Sequence, residues 1–239
     1  MKKFLYLFSF LLAITFTACE SGQPEGPSGD PNVPENPSNP DEPSEPNKHE
    51  NHDWVDLGLS VKWATCNVGA NAPEEFGDYF AWGETKPKSV YDWNTYKWYN
   101  SSSGTLTKYT GSMNDNKWVL DLEDDAAHVN WGGAWRMPTE AEVSELIEKC
   151  TWIWTTQNGV NGCKVTSKTN GNSIFLPAAG SRFCSDFCNV GSTGFYLSSS
   201  LYTSDSYNAY FLYFYSGNAM RDYINRGNYA HTVRPVVRE

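Results

Sequence analysis

Between Val55 and Trp63, apolar Val55, Leu57, Leu59, Val61 and Trp63 alternate with Asp56, Gly58, Ser60 and Lys62. A two-residue period predicts a half-buried strand. Gly77 to Gly83 (GDYFAWG) reads as a second short strand bounded by glycines. The period changes at Thr139. From there to Lys149, Val143, Leu146 and Ile147 form one apolar stripe, Thr139 is an N-cap, and Glu142 sits three residues on as in a capping box, so a helix is predicted. A weaker helix is predicted near Asp121, taking in Asp125, Ala126 and Ala127. Lys164 to Ser167 and Ser173 to Leu176 are strand-like runs separated by Asn170 and Gly171, a hairpin signal. Further on, a strand over Asn208 to Tyr215 puts Tyr210, Leu212 and Phe214 on one face and Phe211, Tyr213 and Tyr215 on the other. One aromatic face suits a core; the second needs another partner. Gly217 marks a turn, Arg221 to Ile224 a returning strand, and Asn225 to Asn228 a further turn.

The N-terminus follows a different logic. Lys2 and Lys3 precede an apolar run from Phe4 to Phe16 that closes on Thr17, Ala18 and Cys19, the layout of a signal peptide over residues 1–18. A cysteine directly after a small residue at that cut resembles the lipobox of bacterial lipoproteins. The resemblance implies diacylation of Cys19 and a membrane anchor without a spanning helix, each buried methylene contributing roughly 0.8 kcal/mol. From Glu20 to Asp53 there are eight prolines, nine acidic residues and one lysine, with no aromatic and a single valine. Such a stretch cannot offset the entropy of ordering, so residues 19–53 are read as an acidic, disordered tether. Proline-rich chain extends by ~3.1 Å per residue, giving a reach on the order of 100 Å. His49, Glu50, His52 and Asp53 at its end are weighed as metal ligands and read instead as solvated linker.

Residues 54–239 remain for one globular domain. The chain carries 28 acidic against 18 basic residues, a net charge of −10. That balance argues against nucleic acid, because phosphate binding needs a basic face. After residue 18 no run is apolar for long enough to cross a bilayer. Six cysteines in 239 residues do not make a disulfide-dense scaffold. All ten tryptophans lie between Trp54 and Trp154, which sets residues 54–182 apart from the rest.

Val55–Ala70 (VDLGLSVKWATCNVGA), Gly77–Thr85 (GDYFAWGET), Asp124–Thr139 (DDAAHVNWGGAWRMPT), Ser173–Gly180 (SIFLPAAG) and Val233–Val236 (VRPV) resemble the Fibrobacter succinogenes major paralogous domain, common in lipoproteins of Bacteroidetes. The resemblance covers essentially residues 54–239. It implies an α+β, C-type-lectin-like domain related to the formylglycine-generating enzymes, with short twisted antiparallel strands, one or two helices and much irregular loop. It does not by itself imply a function.

From Phe183 to Arg238 there is no lysine, glutamate, glutamine or tryptophan, whereas residues 54–182 hold nine Lys, eight Glu, one Gln and ten Trp. Packing gives no reason to exclude these four together, since they differ in size, charge and polarity. They share a feature of the genetic code: none has a codon ending in a pyrimidine. Methionine is the one other type outside that set, and Met220 is the single exception here. Randomising the adenines of asparagine codons has this result. Residues 183–239 therefore resemble the variable region of a diversity-generating retroelement target, with Asn189, Asn208, Asn218 and Asn225 in the template state. A β-rich segment that merely prefers Tyr, Ser, Asn and Gly is the alternative. Those four types make up 25 of the 56 residues, the composition of a paratope.

The resemblance implies fixed residues at Gly191, Gly194, Ser198 to Ser200, Ala209, Leu212, Phe214, Arg226, Gly227 and Val233 to Val236; Leu197 stands where related domains often carry tryptophan. It implies an exposed, ligand-binding set of Phe183, Ser185, Asp186, Tyr202, Thr203, Asp205, Tyr207, Phe211, Tyr213, Tyr215, Asp222, Tyr223, Ile224, Tyr229 and His231. The expected partner is a protein or glycan on another cell, a phage or a host, met by an outer-membrane lipoprotein at the cell surface. A fixed-specificity adhesin, carbohydrate-binding or fimbria-associated, is the second possibility.

Catalytic and metal chemistry is sparse. With Cys19 acylated, Cys66, Cys150, Cys163, Cys184 and Cys188 leave at least one thiol unpaired. Cys184 and Cys188 are spaced to pair in a loop or tight turn, and formylglycine-generating enzymes use a reactive cysteine pair, which makes an oxidoreductase the weakest of the three readings. Asp121, Glu123, Asp124 and Asp125 offer oxygen ligands for calcium without EF-hand spacing, and suit a helix N-terminus equally well. His128 and His231 stand in no triad motif, and His231 is expected to be a contact residue. No enzyme activity, cofactor or bound metal is expected.

Overall fold

A computed structural model describes residues 47–49, 51–111 and 114–238. The signal peptide, Cys19 and most of the tether lie outside the described residues. Short antiparallel strands, two helices and long loops make an α+β arrangement.

The predicted helix is α2 (Glu140–Lys149), with α1 at Ala126–Trp131. Thr139 caps α2 as the spacing predicts: its hydroxyl accepts from the Glu142 N–H, and the Glu142 carboxylate accepts from the Thr139 N–H. Arg136 and Arg238 hold that buried carboxylate from outside the helix. The weaker helical region near Asp121 splits into a 3-10 turn, Leu122–Asp124, and α1, with Asp125 as the cap that accepts from the Ala127 and His128 N–H groups.

Val143 and Leu146 of α2 enter a core with Leu57, Trp63, Val165, Leu176, Tyr196, Leu212 and Phe214. Its walls are two sheets, β6 (Cys150–Gln157), β7 (Val160–Ser167) and β8 (Ser173–Pro177), and β11 (Thr193–Leu201), β12 (Asn208–Tyr215) and β13 (Asn218–Asn225). The hairpin around Asn170 and Gly171 joins β7 to β8 as predicted. Strand β6 carries no prediction, although the Asn158–Gly159 pair behind it, both residues at positive φ (47° and 84°), is the turn signal that marks it. A second core gathers Phe80, Trp82, Tyr109, Met137, Leu197, Leu201, Ala209 and Val233.

Three sequence-based expectations change. The alternation from Val55 to Trp63 is real in burial but is not one strand: β2 (His52–Val55) ends and β3 (Lys62–Ala64) begins on either side of a turn. Gly58 at φ 66° makes that turn, its N–H donating to Asp56 Oδ1 at 2.7 Å. Gly77 to Gly83 forms no strand: it contributes an isolated bridge, Phe80 with His231, and ends in a turn at Trp82 and Gly83. Finally, the sheet reaches into the segment read as tether: β1 (Asn47–His49) pairs with β2, and the His52 ring stacks on Trp131 at 3.7 Å. The ordered fold therefore starts before Trp54.

The end of the chain returns to the beginning, since β15 (Val236–Val237) pairs with β3 in the register Val236 to Trp63. Beside it lies Arg234, only 1% exposed. Its guanidinium donates to Asn67 Oδ1 (2.8 Å) and to the carbonyls of Ala64 (3.0 Å), Thr65 (2.6 Å) and Phe175 (3.1 Å). Arg226, equally buried, donates to the carbonyls of Tyr109 and Lys108 and lies over the Trp82 ring.

Truncating Arg234 leaves several buried acceptors without donors, a situation that costs about 1–3 kcal/mol for each group left unsatisfied. Urea unfolding of Arg234→Met is expected to show a loss of that size. The exposed Arg221, paired with Glu140 at the surface, is expected to change stability by less than about 1 kcal/mol on the same replacement.

Candidate functional site: an aromatic ribbon on two sheets

Strand pairing decides which side chains share a face. In the β11–β12–β13 sheet, Phe195 lies opposite Tyr213 and Tyr213 opposite Met220; Leu197 lies opposite Phe211 and Phe211 opposite Asp222; Thr193, Tyr215 and Asn218 form a third row. These rows make one face. On the other face Tyr196, Leu212, Phe214 and Ala219 pack into the first core. A second sheet, formed by β9 (Ser181–Phe183), β10 (Asp186–Cys188) and β14 (Tyr229–Ala230), adds the row Asp186, Phe183, Tyr229.

Across the two sheets the rings meet in a continuous ribbon. Centroid separations are 4.8 Å for Phe183–Tyr229, 6.1 Å for Tyr229–His231, 5.2 Å for His231–Phe195 and 5.5 Å for His231–Phe211. The ribbon goes on through Phe195–Tyr213 at 5.1 Å and Tyr213–Tyr215 at 5.7 Å. The middle rings are nearly parallel, with interplanar angles of 11° to 27° among Tyr229, His231, Phe195 and Phe211.

Six of the fifteen expected residues thus come together: Phe183, Phe211, Tyr213, Tyr215, Tyr229 and His231. Asp186, Asp222 and Ile224 flank them on the same faces. The others lie elsewhere. Tyr202 stacks on Tyr223 at 3.8 Å on the opposite face of β12 and β13, next to Tyr210 and Arg221. Tyr207 packs against Trp93 from the β11–β12 loop, which also exposes Thr203 and Asp205. Ser185 sits in the β9–β10 turn.

Two expectations of exposure are overturned. Phe211 is 4% and His231 1% exposed, because Phe195 and the backbone bridge to Phe80 cover the inner half of the face. Alternation along β12 distinguishes its two faces but cannot reveal that part of the second is also roofed. Phe195 is the ribbon member that sequence reasoning missed. Its position opposite Tyr213 becomes legible only once the β11–β12 register is known.

Neither ring nitrogen of His231 has a hydrogen-bond partner among the described residues, and burial pushes its pKa down to about 3. The ring is therefore neutral at physiological pH and acts as a flat stacking element.

The acidic cluster behaves differently from a calcium site. Oxygens of Asp121, Glu123 and Asp124 converge within 4.8 Å, and the Lys108 ammonium reaches all three, at 2.7, 3.1 and 2.6 Å. Lys117 pairs with Asp121 and Lys97 with Asp124. Hydrogen bonds from Lys108 and Lys117 pull Asp121 down to about 2. A lysine ammonium stands where the cation would, so an incoming ion would have to displace it.

All five described cysteines are free thiols. Cys184 occupies the β9–β10 turn at φ 53°, and burial pushes Cys150 and Cys163 up to about 11 and 12, away from nucleophilic use. A cleft of about 550 Å³ opens beside Leu122, Arg136 and Glu142, with Ser199 of β11 also on its wall; the buried Glu142 carboxylate already has two arginine partners. No helix among the described residues is long and apolar enough to cross a membrane. Comparison of the chain with protein-family models, with curated proteins and with solved structures found no match.

Phe211→Ser is expected to cost about 3–5 kcal/mol in urea unfolding, as for other buried phenylalanines. Tyr215→Ser, at the exposed end of the ribbon, is expected to stay within about 1 kcal/mol of the parent. The pH dependence follows from His231. Its native pKa, about 3, lies below the unfolded value of 6.5, so between those limits the unfolded chain binds a proton that the native ring refuses. Stability is then expected to fall as pH drops from 6.5 towards 3, by about 1.4 kcal/mol per pH unit. His231→Phe keeps a ring in the stack and is expected to flatten that slope between pH 6.5 and 5.

Proposed function

We propose that this protein is a lipid-anchored binding protein displayed at the cell surface, with a C-type-lectin-like domain whose ribbon face takes its specificity from codon diversification. The observation that carries this reading is the absence of Lys, Glu, Gln and Trp from Phe183 to Arg238. Exposure gives that absence its force. Asp186, Asp205 and Asp222 are all exposed, and a solvated strand or loop accepts glutamate, glutamine or lysine as readily as aspartate. No packing requirement removes them.

The same segment divides by burial. Leu212, Phe214, Arg226, Val233 and Val236 are buried, and alanine at Gly194 or Gly227 would drive a Cβ into the Phe214 or Trp93 ring. These are positions that a mutating segment must hold constant. Tyr213, Tyr215, Asp186 and Asp222 carry no such burden. The C-type-lectin-like reading is supported by the pairing of the first strands with the last and by two helices packed beside loop-rich antiparallel sheets. The lipid anchor rests on the arrangement of Lys2, Lys3 and Cys19.

A fixed-specificity adhesin is the second reading, favoured by the burial of Phe211 and His231, which knits the ribbon's centre into the frame. Sequencing the locus separates the two. Diversification requires a neighbouring reverse-transcriptase gene and a near-copy of the 3′ coding end that differs from it at adenines. A locus with neither would rule out the diversification and leave the adhesin.

A further inference from the structure

We infer that the ribbon's partner is a protein surface on which arginine or lysine side chains stand among apolar ones. The inference rests on the proposed function and supplies the chemistry of its ligand.

The first observation is charge. From residue 183 to 231 the carboxylates are Asp186, Asp205 and Asp222, and all are exposed. None has an ion-pair partner among the described residues; Asp186 and Asp222 have only local contacts, from the Ser185 hydroxyl and the Tyr223 N–H. Strand pairing puts Asp186 beside Phe183 and Asp222 beside Phe211, both on the ribbon face. The cations of the segment do not offset them. Arg226 is buried, and Arg221 lies on the opposite face of β13, paired with Glu140. Arg182 faces away with Phe187 and donates to the carbonyls of Lys88, Ser89 and Ser185. The ribbon is thus an apolar strip with uncompensated negative charge at one end and along one flank. Such a strip selects a cationic partner and repels an anionic one.

The second observation is how the rings are turned. A sugar packs its C–H face against an open aromatic face. Here Tyr229, His231, Phe195 and Phe211 lie nearly parallel at centroid distances of 5.2 to 6.1 Å, and Phe195, Phe211 and His231 are all buried, so the middle of the ribbon offers no open ring face. Met220 and Ile224 beside them add apolar groups that cannot bond to hydroxyls. An apolar strip with tyrosines at its accessible end matches the centre of a protein interface, and the carboxylates match its charged rim.

The test pans a phage-displayed library of random linear peptides on the full-length lipidated protein in detergent, in parallel with Asp186→Asn/Asp222→Asn and Tyr213→Ser/Tyr215→Ser. A glycan array is probed with the same preparations. The expected result is a selected pool enriched in arginine or lysine next to apolar residues, with peptides that lose binding to the tyrosine variant. Removing two exposed charge pairs is expected to weaken them by about 2- to 30-fold, and added salt to act in the same direction. Enriched peptides that are neutral or acidic, or that ignore the asparagine variant, overturn this inference and leave the ribbon as a binding surface. Glycan binding that the tyrosine variant abolishes, without peptide selection, overturns it as well. Ligands of either kind that bind the tyrosine variant unchanged count against the proposed function itself.

Discussion

Arg234 is a guanidinium held inside the protein with no carboxylate partner among the described residues, and the oxygens it donates to come from two separated stretches of chain: Ala64, Thr65 and Asn67, then Phe175. Removing a charge from water is tolerable only where such acceptors are in place. The requirement joins the strands near the start of the domain, the β7–β8 hairpin and the last residues into one frame. Arg226 imposes a similar demand a few residues earlier, on the carbonyls of Lys108 and Tyr109. The end of the proposed variable segment is therefore tied down by buried hydrogen bonds, while its strands β11 to β13 are held by sheet pairing and by Leu212 and Phe214.

That arrangement would let one segment be both structural and replaceable, as the proposed diversification requires. On β12, Leu212 and Phe214 answer to the core, whereas Tyr213 and Tyr215 answer only to their neighbours in the ribbon. Rings supply contact area with few rotors to immobilise, so a rigid sheet bearing them loses little entropy on binding. The ribbon's inner members, Phe195, Phe211 and His231, form the base on which the outer ones stand. His231 serves as an uncharged plate there, which is why it couples the face to pH although no catalytic role is assigned to it.

Features set by local chemistry were legible in the sequence. The capping box at Thr139 and Glu142, the turn at Asn170 and Gly171, and the β12 strand are each encoded within a few residues. Features set by distant partners were not. Val55 to Trp63 alternates because each apolar residue finds the core, yet Gly58 and Asp56 fold it into a turn. The site was legible as an aromatic excess lacking four residue types. Its layout was not, because the register of β11, β12 and β13 decides that Tyr223 and Tyr202 lie behind the sheet while Phe183 and Tyr229 join the front from another sheet. The acidic run near Asp121 was ambiguous for a similar reason: Lys97, Lys108 and Lys117, which neutralise it, precede it in a stretch whose sequence shows no helical or strand period.

The central claim is that the frame keeps its fold whatever residues occupy the outer ribbon. It is tested most directly by replacing Phe183, Asp186, Tyr213, Tyr215 and Asp222 together with random codons ending in a pyrimidine, and sorting the library for protease resistance. The account predicts that most members stay folded, and that a matched library randomised at Leu212, Phe214, Arg226 and Arg234 is almost entirely cleaved. Equal survival of the two libraries, or collapse of the first, would contradict it.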